Sequence, residues 1–269
     1  MNFGNMPRDG GNLIIEADEY ENFLRDEPQA APFIREFLGA DGMINNQKRY
    51  CIWLVNADLA LLRKCPKILA RVEKCRQMRL ASKAVSTRNF AATPSLFCQI
   101  TQPEGKAYIL VPRHSSEKRN YIPMGFVAPH VIASDSSLIV VDATLYHFGI
   151  MTSCMHNAWV RAVGGRLESR YRYSKDIVYN NFVWPTVSAD LRTSIESAAQ
   201  AVLDARAAHP TATLADLYDP RMMPPDLVKA HAHLDALVDK AYGLAPSCTD
   251  ADRVAHLFKL YADMTTKGE

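Results

Sequence analysis

Seven consecutive polar residues, 113–119, stand between two strand-like runs and carry groups that suit phosphates and base edges. The candidate side chains in the stretch VPRHSSEKRNYIP are Arg113, His114, Ser115, Ser116, Lys118, Arg119 and Tyr121. Cationic side chains neutralise phosphates, and arginine, serine and histidine also hydrogen-bond base edges in a groove. A solvated hairpin tip is the alternative interpretation. We call residues 113–121 the tip.

Charge along the chain is segregated, although the formal net charge of the 269 residues is only +2. Residues 1–47 hold three Lys and Arg against nine Asp and Glu, a net −6. Residues 48–175 hold twenty against seven, a net +13, and residues 176–269 hold eight against thirteen, a net −5. A basic middle segment of this size favours a polyanionic partner such as nucleic acid. An ordinary solvated surface is the other interpretation.

Two further groups of residues share the character of the tip. A helix predicted to begin at Pro66 would place Lys67, Arg71 and Lys74 on one face, because residues spaced i, i+4, i+7 are neighbours there. The stretch RYRYSKDIVYNNFVWP interleaves aromatic rings with polar side chains, a pattern that suits backbone contacts and base stacking or a well-packed domain edge. The polar residues we single out in that stretch are Arg170, Arg172, Lys175 and Asn180.

Hydropathy and the positions of proline and glycine predict both helices and strands in the first part of the chain. An acidic helix is expected over residues 17–26, and RYCIWLV predicts a buried strand over residues 49–55. Short apolar runs between residues 106 and 142 predict a small antiparallel sheet with tight connections. A further helix is expected over residues 150–163, ending at Gly164.

Beyond Pro185 the composition becomes helical, with helices predicted over residues 188–208, 226–242 and 249–264. The resulting fold class is α+β. A mixed helix and small antiparallel-sheet domain over residues 1–186 precedes a small α-helical domain over residues 187–269.

Cysteine usage and hydropathy predict a cytoplasmic protein without a membrane segment. No C-x-x-C pair occurs among the six cysteines, which fits buried thiols in a reducing compartment. The pairs Cys154 with His156 and His231 with His233 have i, i+2 spacing, which points the two side chains to different faces of a helix. We therefore predict no metal site and expect the two histidines of the second pair at the surface.

Motifs for catalysis are missing from the chain. It contains no G-x-x-x-x-G-K-[ST], G-x-G-x-x-G, G-x-S-x-G or H-E-x-x-H pattern, and no N-P-P-[YF] turn. We expect the chain to bind no cofactor and to be non-catalytic by itself.

Several runs resemble one family in order along nearly the whole chain. They include NFGNMPRDGGNLI, FIREFLGADGMINNQKRYCIWL, the tip sequence, YNNFVWP and LDALVDKAYG. The chain resembles the C-terminal part of the MmeI-like DNA adenine methyltransferases, which include type IIL restriction-modification enzymes. The matching part is the target-recognition domain together with the helical C-terminal domain.

This resemblance implies sequence-specific recognition of double-stranded DNA for bacterial adenine-N6 methylation. The chain would be a fragment, and S-adenosylmethionine would bind in a methyltransferase domain on the same or a companion polypeptide. The tip and the residues Thr144, Tyr146 and His147 would contact a groove. The cations of the two other groups, Lys67, Arg71, Lys74, Arg170, Arg172 and Lys175, would mainly hold phosphates.

Two other functions compete with DNA recognition. The chain could be a protein-interaction module that docks a separate methyltransferase or nuclease subunit, with the basic segment merely compensating charge. An autonomous nuclease has less support, because no carboxylate and lysine cluster has the spacing of a metal site.

Overall fold

The computed structural model describes residues 1–266 and has the α+β fold class that the sequence predicts. Its strands β1 to β11 are Asn2–Phe3, Ile14–Glu16, Ile34–Leu38, Arg49–Ile52, Tyr108–Pro112, His114–Ser115, Gly125–Val127, Ile132–Ala133, Ser137–Val140, Gly165–Leu167 and Arg170–Arg172. Its helices α1 to α11 are Ala17–Asp26, Ala40–Asn45, Leu59–Leu62, Pro66–Leu80, Val85–Asn89, Leu145–Thr152, Cys154–Val163, Ala189–Ala207, Leu214–Leu217, Pro225–Ala241 and Asp250–Thr266. Short 3₁₀ turns cover Pro28–Phe33 and Phe90–Ala92, and Lys175–Tyr179 form a turn of π-helix.

Local sequence signals explain where the long helices begin. The acidic helix α1 has the predicted bounds, and Pro66 occupies the first turn of α4, where its missing N–H costs nothing. The buried carboxylate of Glu27 accepts hydrogen bonds from the N–H groups of Lys67 and Ile68, at 2.8 and 3.2 Å, so it caps that helix. Ser188 caps α8 by accepting a hydrogen bond from the N–H of Leu191.

The chain divides into two compact units. The N-terminal unit comprises Asn2–Lys106 and Val127–Ile139. The tip unit comprises Met1, Ala107–Phe126 and the described chain from Val140 onward. The predicted division at residue 186 falls inside the tip unit, where α6 before that residue packs on α8 after it.

A four-stranded sheet organises the N-terminal unit, in the order β2-β4-β3-β8. The first three strands are antiparallel, with Ile14 opposite Cys51 and Arg35 also opposite Cys51. Strand β8 instead runs parallel to β3. This departs from the antiparallel arrangement expected for all strands between residues 106 and 142. Strand β8 pairs with a strand 95 residues away, and local sequence does not indicate such a partner.

The core of the N-terminal unit joins this sheet to the apolar face of α4. Leu13, Ile15 and Ile52 are fully buried with Ile68 and Cys75. Burial of side chains of this size contributes about 1.5–3 kcal/mol each.

Helices and the buried strand β5 form the core of the tip unit, which also contains a three-stranded sheet in the order β10-β11-β6. Gly149 on α6 is buried where a Cβ atom would lie 3.0 Å from the side chain of Ile195 on α8 and 3.4 Å from that of Leu234 on α10. A larger residue would therefore separate these helices.

Two local predictions are wrong in the tip unit. The helix expected over residues 150–163 is interrupted at Ser153, which has an extended backbone and whose hydroxyl caps α7 by accepting from the N–H of His156. His231 was expected at the surface but is fully buried, whereas His233 is exposed. His231 is held inside by a 2.8 Å hydrogen bond between its Nε2 and the hydroxyl of Tyr218.

Candidate nucleic-acid interface

Strand pairing brings part of the tip together with the arginine-rich stretch at residues 170–172. His114 lies opposite Arg172, and Ser115 lies opposite Tyr171. On the other side of β11, Arg170 lies opposite Leu167. We call the sheet formed by β6, β10 and β11 the basic sheet.

The two faces of the basic sheet differ because side chains alternate along a strand. Arg170 and Arg172 share one face with His114, and both arginines are exposed. On the other face Tyr171 and Ser115 are buried, at 8% and 3% exposure. Packing of that face therefore aims the two arginines outward.

Arg166 adds a cation that the sequence analysis did not single out. Its guanidinium lies 4.0 Å from the centre of the Tyr171 ring, and its Nη1 donates to the carbonyl of Ser169 at 3.1 Å. The alternating pattern of RLESRYRY, with its turn at Glu168 in a left-handed conformation, was the signal for this hairpin.

Acidic groups near the basic sheet are fewer than the cations and already have partners. Glu168 forms a 2.7 Å ion pair with Arg170. The pKa of Glu117 is lowered, first by its own backbone N–H and then by a hydrogen bond from Ser169, with smaller contributions from Lys118 and Arg166. The cations of the tip and the basic sheet, Arg113, Lys118, Arg119, Arg166, Arg170 and Arg172, outnumber these two carboxylates.

His114 is held neutral at physiological pH. Burial lowers its pKa, and the charges of Arg113, Arg172 and Arg170 lower it further. A neutral imidazole offers one donor and one acceptor, which suits hydrogen bonding to a base edge or a phosphate among guanidinium groups.

Other predicted groove residues have roles inside the protein. The hydroxyl of Tyr121 donates to Asp235 at 2.7 Å, and the hydroxyl of Tyr146 donates to the carbonyl of Pro185 at 3.1 Å. Thr144 and His147 form a capping box at the start of α6. Ser115 is buried, as described above.

The cationic face predicted for α4 is largely paired within the N-terminal unit. Lys67 forms a 2.5 Å ion pair with Asp26. Arg71 contacts Glu19 at 2.9 Å and also donates to the carbonyl of Ile14 at 2.7 Å. Lys74 is exposed. The acidic first segment of the chain thus neutralises part of the basic segment.

Residues at the end of the arginine-rich stretch are exposed to different degrees. Lys175 is half-buried and lies 3.5 Å from Asp176. Asn180 is exposed, and its side-chain amide donates to Asp176 at 3.4 Å. Lys175 is the first residue of the π-helical turn and Asn180 directly follows it, so neither residue belongs to the basic sheet.

Residues 1–266 also bear on two other classes of site, a metal site and a membrane-spanning segment. Within that range no group of three or more His, Cys, Asp and Glu side chains is arranged to hold a metal ion. No helix there is long and apolar enough to span a bilayer.

Sequence and structure comparisons identify the family. Residues 1–186 match the family described as MmeI, target recognition domain, and residues 187–267 match the one described as MmeI, C-terminal domain. The chain therefore belongs to the MmeI family, of which it carries these two domains.

Two individual proteins are similar to this chain over nearly all of its length. DNA methyltransferase A of Bacillus subtilis (strain 168) is 38% identical over 267 residues, which are 99% of this chain and 30% of that protein. The solved structure of the type IIL restriction-modification enzyme MmeI in complex with DNA is 44% identical, with a TM-score of 0.95 over 98% of this chain and 35% of that chain. The chain thus spans about a third of each relative's length.

Proposed function

We propose that this chain recognises double-stranded DNA for an adenine-N6 DNA methyltransferase, with the basic sheet and the tip as its DNA-binding surface. The observation that carries the proposal is the exposed face on which Arg170 and Arg172 stand beside His114, within a group of cations that outnumbers its carboxylates. The match to a target recognition domain family and the solved complex of MmeI with DNA support it.

The arrangement suggests a division of labour within the surface. Exposed cations such as Arg172 and Lys118 would mainly contact phosphates, which set affinity and register. His114 and Ser116 would add hydrogen bonds to base edges, which carry sequence information.

Methyl transfer itself would take place outside the two domains present here. S-adenosylmethionine would bind in a methyltransferase domain on the same or a companion polypeptide. The role of this chain would then be to hold the duplex while the target adenine is extruded from the base stack.

Removal of two arginines from the basic sheet tests the proposal. We expect Arg170→Ala with Arg172→Ala to weaken binding of a random duplex of about 20 base pairs and to lower the slope of log K against log salt by roughly 1.8, since each phosphate contact contributes about 0.9. Fluorescence anisotropy titrations at several salt concentrations measure both quantities.

The matched control is Lys229→Ala with Lys259→Ala, which removes two exposed cations from α10 and α11. Equal salt slopes for the two double variants would place the DNA surface elsewhere. Failure of the unaltered chain to bind duplex even at low salt would contradict the proposed function.

A protein-docking role is the second candidate, and the last helix provides the observation that favours it. Phe258, Tyr261 and Met264 on α11 are 47%, 37% and 61% exposed and form an apolar stripe at helical spacing. Such a stripe suits contact with a methyltransferase domain or subunit. Binding to that partner with weak salt dependence, and no binding to DNA, would favour this role.

A further inference from the structure

A cavity of about 400 Å³ in the tip unit is walled by the tip on one side and by the segment after α9 on the other. Lys118 and Arg119 contribute from the tip, and Asp219 and Arg221 contribute from the other wall. Arg221 belongs to the part of the chain that matches the C-terminal domain family. None of the predicted DNA contacts lies in that part.

The charges around this cavity are unbalanced. Three cations face one carboxylate, Asp219, whose Oδ1 lies 3.5 Å from Nε of Arg221. Hydrogen bonds from Arg221, followed by the charges of Arg221 and Arg119, lower the pKa of Asp219 and keep it ionised. The cavity therefore keeps a net charge of about +2 at neutral pH.

Arg119 is the group best placed to take a ligand. Its side chain is half-buried and forms no hydrogen bond with any of residues 1–266, so its five donors are available to a bound group or to water. A planar fork of donors beside a second guanidinium matches the oxygens of a phosphate group.

We propose that this cavity binds a phosphate group of the DNA backbone, with Arg221 as a DNA contact supplied by the C-terminal helices. The proposal rests on the proposed DNA-binding function and extends it to a second wall. Free inorganic phosphate has the same chemistry, so the test must separate the two sources.

Arg221→Ala is the test, because Arg221 is exposed and its removal leaves the fold intact. In anisotropy titrations with random duplex we expect the salt slope to fall by about 0.9, the value for one phosphate. Lys259→Ala, which removes one exposed cation outside the cavity, is the control and should leave the slope unchanged.

The outcomes distinguish failure of the cavity from failure of the proposed function. If the unaltered chain binds duplex and Arg221→Ala matches Lys259→Ala, the cavity does not hold a DNA phosphate. Inorganic phosphate at constant ionic strength gives a further outcome. If it raises the melting temperature of the unaltered chain but not of Arg221→Ala, while Arg221→Ala and Lys259→Ala have equal salt slopes, the cavity binds a free anion and the proposal is wrong. If the unaltered chain does not bind duplex at all, the proposed function fails first.

A second inference concerns residues 120–124, the end of the tip and the three residues after it, which four hydrogen bonds tie to surrounding helices. Arg161 on α7 donates to the carbonyl of Asn120 at 3.1 Å, and Asn157 on the same helix accepts from the N–H of Ile122 at 2.9 Å. Arg206 on α8 donates to the carbonyl of Met124 at 2.6 Å, and Asp235 on α10 accepts from the hydroxyl of Tyr121 at 2.7 Å.

The Tyr121 bond joins two side chains, whereas each of the other three bonds involves a main-chain group. Its ring stacks on that of His231 with centroids 3.9 Å apart. Asp235, 8% exposed, also accepts from the N–H of Cys154 at 2.7 Å. A side chain held on both its ring and its hydroxyl cannot swing out to a groove without breaking the core.

We infer that Tyr121 and Asp235 are positioning residues that hold the tip cations in place for DNA. Loss of the Tyr121 hydroxyl should free the tip backbone, so that Ser116, Lys118 and Arg119 no longer keep a fixed spacing for phosphates. This inference also rests on the proposed function, but its structural half can be measured without DNA.

Tyr121→Phe is compared with Tyr242→Phe, which removes a buried tyrosine hydroxyl bonded at 2.7 Å to the carbonyl of Val183, away from the tip. We expect amide hydrogen exchange over residues 114–119 to accelerate about tenfold in Tyr121→Phe and to stay unchanged in Tyr242→Phe. The salt slope for duplex binding should fall only in the first variant.

Asp235→Asn is the conservative rescue. Its amide oxygen can still accept from the N–H of Cys154, and its NH₂ group can donate to the hydroxyl of Tyr121. Slow exchange over residues 114–119 in this variant supports positioning through the bridge. Equal exchange in Tyr121→Phe and Tyr242→Phe would reduce Tyr121 to an ordinary core residue. Faster exchange in Tyr121→Phe with unchanged DNA binding would show that Tyr121 orders the tip but has no role in DNA recognition.

Discussion

Replacement of Arg79 by methionine is expected to unfold the N-terminal unit, although it removes only one of the twenty cations in the basic middle segment. Arg79 is fully buried on α4, and all five of its N–H donors bond to main-chain carbonyls at 2.8–3.1 Å. The acceptors are the carbonyls of Pro7, Arg8, Phe90, Thr93 and Leu96. Methionine fills a similar volume but leaves the oxygens of Pro7, Arg8 and Leu96 without a donor. The carbonyls of Phe90 and Thr93 each still accept from a main-chain N–H group.

Each carbonyl left without a donor costs about 1–3 kcal/mol, so three of them cost roughly 3–9 kcal/mol, which is comparable to the whole stability of a typical domain. The matched control is Arg76→Met on the same helix. Arg76 is exposed and lies 3.9 Å from Glu73, a pair that contributes at most about 1 kcal/mol.

Urea denaturation and amide hydrogen exchange measure the difference between the two variants. We expect loss of protection over residues 7–14 and 90–97 in Arg79→Met and native protection in Arg76→Met. Equal unfolding midpoints for the two variants would show that the carbonyls find other donors or water.

Arg79 also shows that the net charge of a segment overestimates the number of cations available to bind DNA. It contributes to the net +13 of the middle segment but has no exposed surface with which to contact DNA. The sequence did hold a signal for this, because residues 68, 72, 75 and 79 follow the spacing of one helix face and the first three are apolar. A cation at an apolar-face position indicates a structural role.

Helix starts were predictable because their causes are local. Pro66 in the first turn of α4, Ser188 before α8 and Thr249 before α11 each stand within a few residues of the groups they affect. The α+β class followed from such signals together with the alternation in the strands.

The pairing of His114 with Arg172 had no local cause. The two residues lie 58 positions apart, and nothing in either stretch specifies the other as its neighbour. The sequence therefore indicated two separate cationic groups, whereas the structure joins them in the basic sheet. The pairing of Lys67 with Asp26 and of Arg71 with Glu19 is non-local in the same way, and it neutralises charge on a helix face that the sequence predicts to be cationic.

The second large effect is expected on acidification, and it arises from two buried histidines of the tip unit. Burial lowers the pKa of His156 to about 3 and that of His231 to about 3. Nε2 of His156 bonds to the hydroxyl of Tyr173 at 2.7 Å, and Nε2 of His231 bonds to that of Tyr218 at 2.8 Å. Nδ1 of each ring is buried without a hydrogen-bond partner among residues 1–266.

A histidine whose pKa is lower in the folded state than its ordinary value of 6.5 binds a proton more readily in the unfolded chain. Its stabilising effect is therefore complete above about pH 6.5 and is lost as the pH falls toward 3. From pH 7 to pH 5 each histidine should lower the free energy of unfolding by about 2 kcal/mol.

Asp235 acts in the opposite direction. Burial raises the pKa of its carboxyl group in the folded state. The free energy of unfolding therefore rises as the pH falls through that pKa and the folded protein takes up the proton. The two histidines outweigh this single carboxyl between pH 7 and pH 5, because each takes up a proton there in the unfolded chain and stays neutral in the folded protein.

Urea denaturation at pH 7, 6 and 5 measures this loss of unfolding free energy. The unfolding of the tip unit is monitored by the fluorescence of Trp159 and Trp184, which both belong to this unit. His156→Gln with His231→Gln keeps a hydrogen-bonding side chain at both sites but cannot take up a proton, so the free energy of unfolding should vary much less with pH. His233→Gln, two residues from His231 and exposed, should retain the full pH dependence. If the double variant loses as much stability at pH 5 as the unaltered chain, the acid sensitivity comes from other groups, and the buried histidines are protonated without penalty.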